Sequence, residues 1–367
     1  MNDFIEQLTN ALKQIIEPDS GQDIISLRML RDIQLDEKGL VQFKLHLPGP
    51  NYAHKEALHT AVQQCFASLA PEKSLHVHFV NQMPFAENPN LIAPHIQHII
   101  AVGSGKGGVG KSTWSVCLAL ELKRQGYRVG LMDADLYGPS IPTMLGIQSL
   151  KPLVSQNQGS PKLIPIETQG LHVVSIGNII EPEQAVVLRG PRLAAIIKQF
   201  FNDTEWPPLD YLIVDLPPGT GDIQLTLVQT IPLSGAILIT TPQEVAVVDA
   251  IKAANMFQME QIGVPILGIV ENMSWFEPDD APGKRYYIFG EGGGQRLADK
   301  TQSSLLGQFP IKEKLRAMMD TGSSYRINPT LLPMLENLVH KLIQKVKLRD
   351  EIYHPTAQGP NPKTSSS

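Results

Sequence analysis

The sequence predicts an α/β chain: a mostly parallel sheet covered by helices on both faces, preceded by a small α+β domain. Three observations carry this reading. Across residues 97–348, short apolar runs alternate with segments of helical spacing, as a parallel sheet with crossover helices requires. At the head of that region, residues 98–140 read as strand, glycine loop, helix and strand, a βαβ unit. Ahead of it, residues 84–96 are polar and carry Pro84, Pro89 and Pro94, a composition that predicts a linker.

Residues 1–83 are expected to fold as the small domain. Phe4, Ile5, Leu8, Leu12, Ile15 and Ile16 recur at helical spacing over 4–16, until Pro18, Asp19 and Gly21 break it. Residues 26–32 and 41–47 read as strands, 53–69 as a second helix and 75–79 as an alternating strand. In the larger region 98–102 is a buried, β-branched strand and 103–110 a glycine-rich turn. A helix over 111–125 ends at Gly126, and a second buried strand over 128–132 runs into Asp133. Strands follow at 171–176, 211–214, 235–240 and 265–270, with helices at 224–231 and 245–262 and a last helix at 331–346. Ligands of such a sheet sit at the carboxyl ends of its strands. Residues 349–367 read as a disordered tail, because Pro, Gly, Ser and Thr dominate its end.

The glycine turn has the spacing of a phosphate-binding P-loop: Gly105, Lys106, Gly107, Gly108, Val109, Gly110, Lys111, Ser112, Thr113. Its glycines let backbone N–H groups converge on phosphate oxygens, and the following helix adds the positive end of its dipole. The larger domain is therefore predicted to be a P-loop NTPase. Lys111 is placed to reach the β- and γ-phosphates of ATP, and Ser112 to offer its hydroxyl to Mg²⁺. Lys106 is a second cation that the turn does not need; it is either a solvated lysine or aimed at a triphosphate. Asp215 ends an apolar strand, where a carboxylate beside a P-loop serves Mg²⁺. Asp133 and Asp135 would point the same way if their strand ran on through both, an orientation that needs Mg²⁺ or a water to position. Asn272 follows the strand at 265–270; its amide suits a purine edge, or it is a turn residue. The pairs His76/His78 and His95/His98 lack further ligands and read as ordinary polar residues.

Composition narrows the setting. With 367 residues, 42% of them hydrophobic, the chain suffices for two domains with full cores. A net charge of −5 argues against broad nucleic-acid binding. The first residues carry acids and no long apolar core, and no run approaches a membrane span, so a cytoplasmic protein without a membrane partner is expected. Two cysteines, Cys65 and Cys117, imply no disulfide framework.

The stretch KGGVGKST at 106–113 resembles the deviant Walker A motif of the MinD, ParA and NifH class of ATPases. That resemblance implies a homodimer with ATP at the interface, in which Lys106 reaches the partner's nucleotide. It also implies that Asp135 orients the attacking water, Asp133 supports the Mg²⁺ shell and Asn272 meets adenine. DLPPGTGD at 215–222 resembles the switch that follows the Mg²⁺-side acid in this class, though Asp222 reads equally as a helix cap. Together with DADLYGPS (133–140), RGP (189–191), TPQEVA (241–246), ENMS (271–274) and FGEGGG (289–294), these segments resemble the Mrp/ApbC family of iron–sulfur cluster ATPases over roughly 97–345. EPDSGQDIISL at 17–27 resembles the small iron–sulfur assembly domain that often precedes such an ATPase. The resemblance implies a slow ATP-hydrolysing switch that binds and transfers clusters, with an iron–sulfur donor and apoprotein clients as partners.

The chain departs from the family at the cargo site. The family's Cys-x-x-Cys pair falls soon after ENMS, and residues 275–286 hold no cysteine; the small domain's cysteine is also missing from 48–52. Iron–sulfur iron wants thiolates, and Glu277, Asp279 and Asp280 are hard oxygen donors. Cys65 and Cys117 sit among apolar neighbours on expected helices and read as core residues, so no iron–sulfur ligand is identified. Two rivals stand beside the family reading. One is a MinD- or ParA-like positioning ATPase that uses the last helix, with Lys341, Lys345, Lys347 and Arg349, on a membrane. The other is a scaffold that binds ATP without hydrolysing it.

Overall fold

The structure is a computed structural model that describes residues 2–18, 23–25, 29–35, 40–47, 52, 54–80, 95–136, 138–155, 161–179, 196, 199–278, 280, 281, 283–323 and 331–352. The chain divides into two compact units, Met1–Ala86 with Gln125–Tyr127, and Glu87–Arg124 with Arg128–Ser367. Most of the expected linker (81–94), the RGP segment and Tyr137 lie outside the described residues.

The first unit is a three-stranded sheet with two helices. It runs α1 (Asn2–Leu12), β1 (Leu30–Leu35), β2 (Leu40–His46), α2 (Lys55–Leu69) and β3 (Ser74–Val80). β1 pairs antiparallel with β2, and α2 carries the chain across so that β3 pairs parallel with β2. Leu8 and Leu12 of α1, Val41, Phe43 and Leu45 of β2, and Val62 and Phe66 of α2 close into its own core. The helical spacing of α1 and the alternation along β2 thus each supply one apolar face. The strand expected at 26–32 lies later, at β1, and residues 26–28 are outside the described set.

The second unit is built on β4 (Ile96–Ser104), α3 (Lys111–Arg124) and β5 (Val129–Asp133). After α4 (Ile141–Leu145) come short β6 (Leu153–Ser155), β7 (Lys162–Ile164), β8 (Ile166–Thr168) and β9 (Leu171–Ser175). The unit continues with β10 (Leu209–Asp215), α5 (Asp222–Thr230), β11 (Gly235–Thr240), α6 (Glu244–Gln258) and β12 (Ile266–Glu271). It ends with α7 (Gly293–Lys300), β13 (Leu305–Gln308), α8 (Glu313–Asp320) and α9 (Leu332–Ile352). The main sheet has the order β13-β12-β11-β4-β10-β5-β9-β8, parallel throughout except for the β8–β9 edge. Every residue of β5, β10 and β11 is buried, which is why their sequences are mainly apolar and do not alternate. The chain leaves β4 toward β5 on one side and returns through β10 to β11 on the other, so the order reverses about β4. Such a reversal opens a crevice at the strand carboxyl ends.

Seven elements of the second unit escaped the periodicity: α4, β6, β7, β8, α7, β13 and α8. The edge strands β8 and β13 are only three and four residues long. The FGEGGG segment leads into a helix, α7, despite its glycines. A Cβ on Gly293 would stand 2.5 Å from the Pro242 carbonyl oxygen, and one on Gly294 would stand 2.7 Å from Glu271 Cβ. Here glycine serves close packing of backbone, and Glu271, fully buried, accepts the Gly294 N–H. α8 gave little signal because its buried residues are only Leu315 and Met319. The last helix runs to Ile352, beyond the expected end at 346, so the tail expected from 349 starts no earlier than 353; residues 353–367 lie outside the described set. Its Leu335, Leu338, Val339, Leu342 and Val346 are buried in the unit's core, which removes the apolar face that a membrane-binding role would need. Among the described residues no helix is long and apolar enough to cross a membrane.

Gly293→Ala should therefore destabilise the protein by about 1–3 kcal/mol, the cost of overpacking a closed site. Gly221→Ala, where a Cβ meets nothing within 4 Å, should stay within about 0.5 kcal/mol of wild type in the same urea unfolding experiment.

Candidate functional site

The site forms where three parallel strands end together. Asp215 of β10 is in register with Asp133 of β5 on one side and Val102 of β4 on the other. β4 then runs directly into the glycine loop. Gly105 packs against α6 so closely that a Cβ would lie 2.1 Å from the Asp249 backbone. Gly108 and Gly110 adopt φ of 78° and 89°, the left-handed region that glycine enters without penalty. Lys111 opens α3, and Lys106, Lys111, Ser112, Asp135, Met144 and Pro218 are among the residues around a cleft of about 230 Å³.

Asp215 is the centre of the polar network. Its carboxylate has no exposed surface. Lys111 Nζ donates to Oδ2 at 2.8 Å, Ser112 Oγ donates to the same oxygen at 2.6 Å, and Ser115 Oγ donates to Oδ1 at 2.6 Å. Asp135 Oδ2 lies 3.4 Å from Lys111 Nζ. Burial alone would lower the Lys111 pKa; the charges of Asp215, Asp135 and Asp133 and the bond to Asp215 outweigh it and hold the ammonium above its usual range. Ser112 and Asp215 are hard oxygen donors set side by side, which fits Mg²⁺.

Asp133 and Asp135 do not behave as an alternating pair, because the strand ends at Asp133. Asp133 Oδ1 accepts the Asp135 N–H at 3.2 Å, and Oδ2 accepts the Ser175 hydroxyl at 2.9 Å and the Ile141 N–H at 3.4 Å. Its oxygens thereby brace the loop that carries Asp135. Burial, and then repulsion from Asp215, push its carboxyl up to about 8. Asn272 reaches the P-loop from behind. Its Nδ2 donates to the Val109 carbonyl at 2.9 Å and occupies the space where a Cβ on Gly110 would lie, 2.3 Å away. The next residue, Met273, takes φ of 56°, a left-handed turn that costs a non-glycine residue about 1–2 kcal/mol. The turn follows the residue that clamps the P-loop from behind, a role the sequence reading did not assign. Lys106 is half-buried, with Nζ donating to Gln243 Oε1 at 3.4 Å. Ser115, Ser175 and Gln243 were also missed. Only Ser115 had a signal, lying one helical turn after Lys111 on the same face.

The segment after ENMS is a pinned hairpin. Phe276 and Tyr286 exchange backbone hydrogen bonds at 2.8 and 2.9 Å, and Ile311 N–H reaches the Trp275 carbonyl at 2.7 Å. Glu277 accepts the Gly283 N–H at 2.6 Å, which with Lys312 nearby holds its carboxyl below the usual range. Arg285 stacks over Trp275 at 4.3 Å. Asp279 and Pro282 lie outside the described residues. Cys117 is fully buried on α3, where desolvation pushes its thiol up to about 12; Cys65, in the first unit, is also raised by burial. Neither is poised as a thiolate. Among the described residues no three His, Cys, Asp or Glu side chains gather as a metal cage. The donor set does not fit an iron–sulfur cluster.

The clamp reading of Asn272 is checked with Asn272→Ala. Losing one hydrogen bond to the loop should weaken ATP and GTP binding alike, by roughly three- to tenfold. A change in the ATP-to-GTP ratio would restore the purine-reading role.

Comparison with known proteins finds relatives of both parts of the chain. Residues 95–347 match the ParA profile described as NUBPL iron-transfer P-loop NTPase, and residues 5–79 match the profile of an iron–sulfur cluster assembly protein. The chain is 40% identical over 319 residues to a Synechocystis protein named iron–sulfur cluster carrier protein, covering 86% of this chain and 90% of that one. A Deinococcus radiodurans protein of the same name is 40% identical over 94% of this chain and 93% of its own. Among solved structures, a nucleotide-binding protein from Archaeoglobus fulgidus in complex with ADP is 38% identical, with a TM-score of 0.57, over 66% of this chain and 95% of that one. The chain belongs to the ParA/NUBPL family of iron-transfer P-loop NTPases, carried behind an iron–sulfur-assembly domain.

Proposed function

We propose that this protein is a slow Mg²⁺-dependent ATPase, a homodimeric switch that acts in cytosolic iron–sulfur cluster assembly between a cluster donor and apoprotein clients. The observation that carries it is the convergence of Lys111 and Ser112 on the buried Asp215, with Asp135 paired to the same Lys111 ammonium. In this reading Lys111 and the P-loop amides hold the β- and γ-phosphates. Ser112 and Asp215 hold Mg²⁺, which neutralises phosphate charge when bound. Asp133 keeps the Asp135 loop in place, and Asp135 orients the water that attacks the γ-phosphorus. The bond to the ADP oxygen breaks, giving ADP and phosphate. Lys106 of one subunit completes the other subunit's site, so hydrolysis waits on closure. The role in cluster assembly is supported by the names of the relatives; in this chain cluster handling does not pass through a Cys-x-x-Cys pair.

Two variants test the site. Lys111→Ala should lose tight ATP binding in an equilibrium titration. Lys106→Ala should still bind ATP but hydrolyse it about 10²-fold more slowly, the cost of one transition-state charge partner. It should also lose ATP-dependent stimulation of cluster formation on an apo iron–sulfur reporter protein. Wild-type ATP affinity in the first variant, or wild-type turnover in the second, would refute the assignment.

A further inference from the structure

We propose that Gln243 is a positioning residue that parks Lys106 in the resting subunit and releases it to a nucleoside triphosphate. The inference rests on the reading of Lys106 given above and adds the step that controls it. Lys106 Nζ donates to Gln243 Oε1 at 3.4 Å, and Thr241 Oγ1 donates to the same oxygen at 3.1 Å. The second donor fixes which end of the amide faces the lysine.

The backbone around Lys106 is held on two sides. Ser104 Oγ donates to the Lys106 carbonyl at 2.9 Å, and the preceding Gly105 lies against the α6 backbone at Asp249 and Ala250. Movement at this point therefore belongs to the lysine side chain and not to the loop. The seat itself is electrostatically poor. Gln243 is the N-cap of α6, a 15-residue helix whose first turn presents the positive end of its dipole to the ammonium. The carboxylates on that helix are engaged elsewhere: Glu244 with Arg296 at 3.2 Å and Asp249 with Lys252 at 3.0 Å. A neutral amide oxygen is thus set to hold a cation against a helix dipole. Such a hold yields readily to the concentrated negative charge of a triphosphate, and less readily to nothing or to a diphosphate.

The charge of the parking residue should then set the hydrolysis rate. In the full-length protein at saturating ATP, Gln243→Glu converts the seat to a half-exposed ion pair. It should slow turnover roughly two- to fivefold, the range such pairs command, with ADP affinity unchanged. Gln243→Leu removes the acceptor and should raise turnover. In a Lys106→Ala background neither change should alter the residual rate. A shift of both variants in the same direction, or an effect that persists without Lys106, would overturn the parking role. If Lys106→Ala alone turns over like wild type, the functional reading of that lysine fails and the parking role fails with it. If Lys106→Ala is slow while the Gln243 variants match wild type, the parking role alone fails.

Discussion

A carboxylate without exposed surface survives only if its charge is balanced and its lone pairs are filled, and Asp215 is such a group. The rest of the site follows from that constraint. Lys111 supplies the charge, and Ser112 and Ser115 supply two further donors from the same helix. For one helix to offer three donors to one carboxylate, α3 must start where β4 and β10 end, and the parallel register delivers this by aligning Asp215 with Val102. Removing one partner of a buried ion pair typically costs about 3–5 kcal/mol, so the site is held in a defined geometry by its own charges. In our proposal the same groups that hold the site together engage a Mg²⁺–nucleotide, so that binding exchanges internal partners for external ones with little new structure to build.

Much of this was legible in the sequence. The βαβ unit, the glycine loop and the acids at the strand ends are local patterns, and each strand named on apolar grounds is a strand of the main sheet. What was not legible depended on partners distant in sequence. Asp133 bonds to Ser175 and the Ile141 N–H, 42 and 8 residues away, and no local pattern signals either partner. The Asn272 amide meets the Val109 carbonyl, 163 residues away. The glycines that open α7 gave no helical signal, because their role is to let Pro242 and Glu271 approach, which no local propensity encodes. The edge strands β8 and β13 are too short to show a period.

Where relatives are named cluster carriers, this chain sets a hairpin pinned by Phe276–Tyr286 pairing, a Glu277 cap and an arginine stacked on Trp275. No thiol takes part, and Cys117 serves as packing in the helix that carries Lys111. In our proposal the ATP-driven change is kept, and cluster handling does not pass through a Cys-x-x-Cys pair.

The most direct test of the nucleotide machinery is the Mg²⁺ dependence of ATP binding in wild type and Asp215→Asn, measured by titration with and without Mg²⁺. If Asp215 hands its hold on Lys111 and Ser112 over to Mg²⁺–ATP, Mg²⁺ tightens binding in the wild type. The variant should then bind ATP about equally well with and without Mg²⁺. A variant that keeps the full wild-type response to Mg²⁺ would contradict the account.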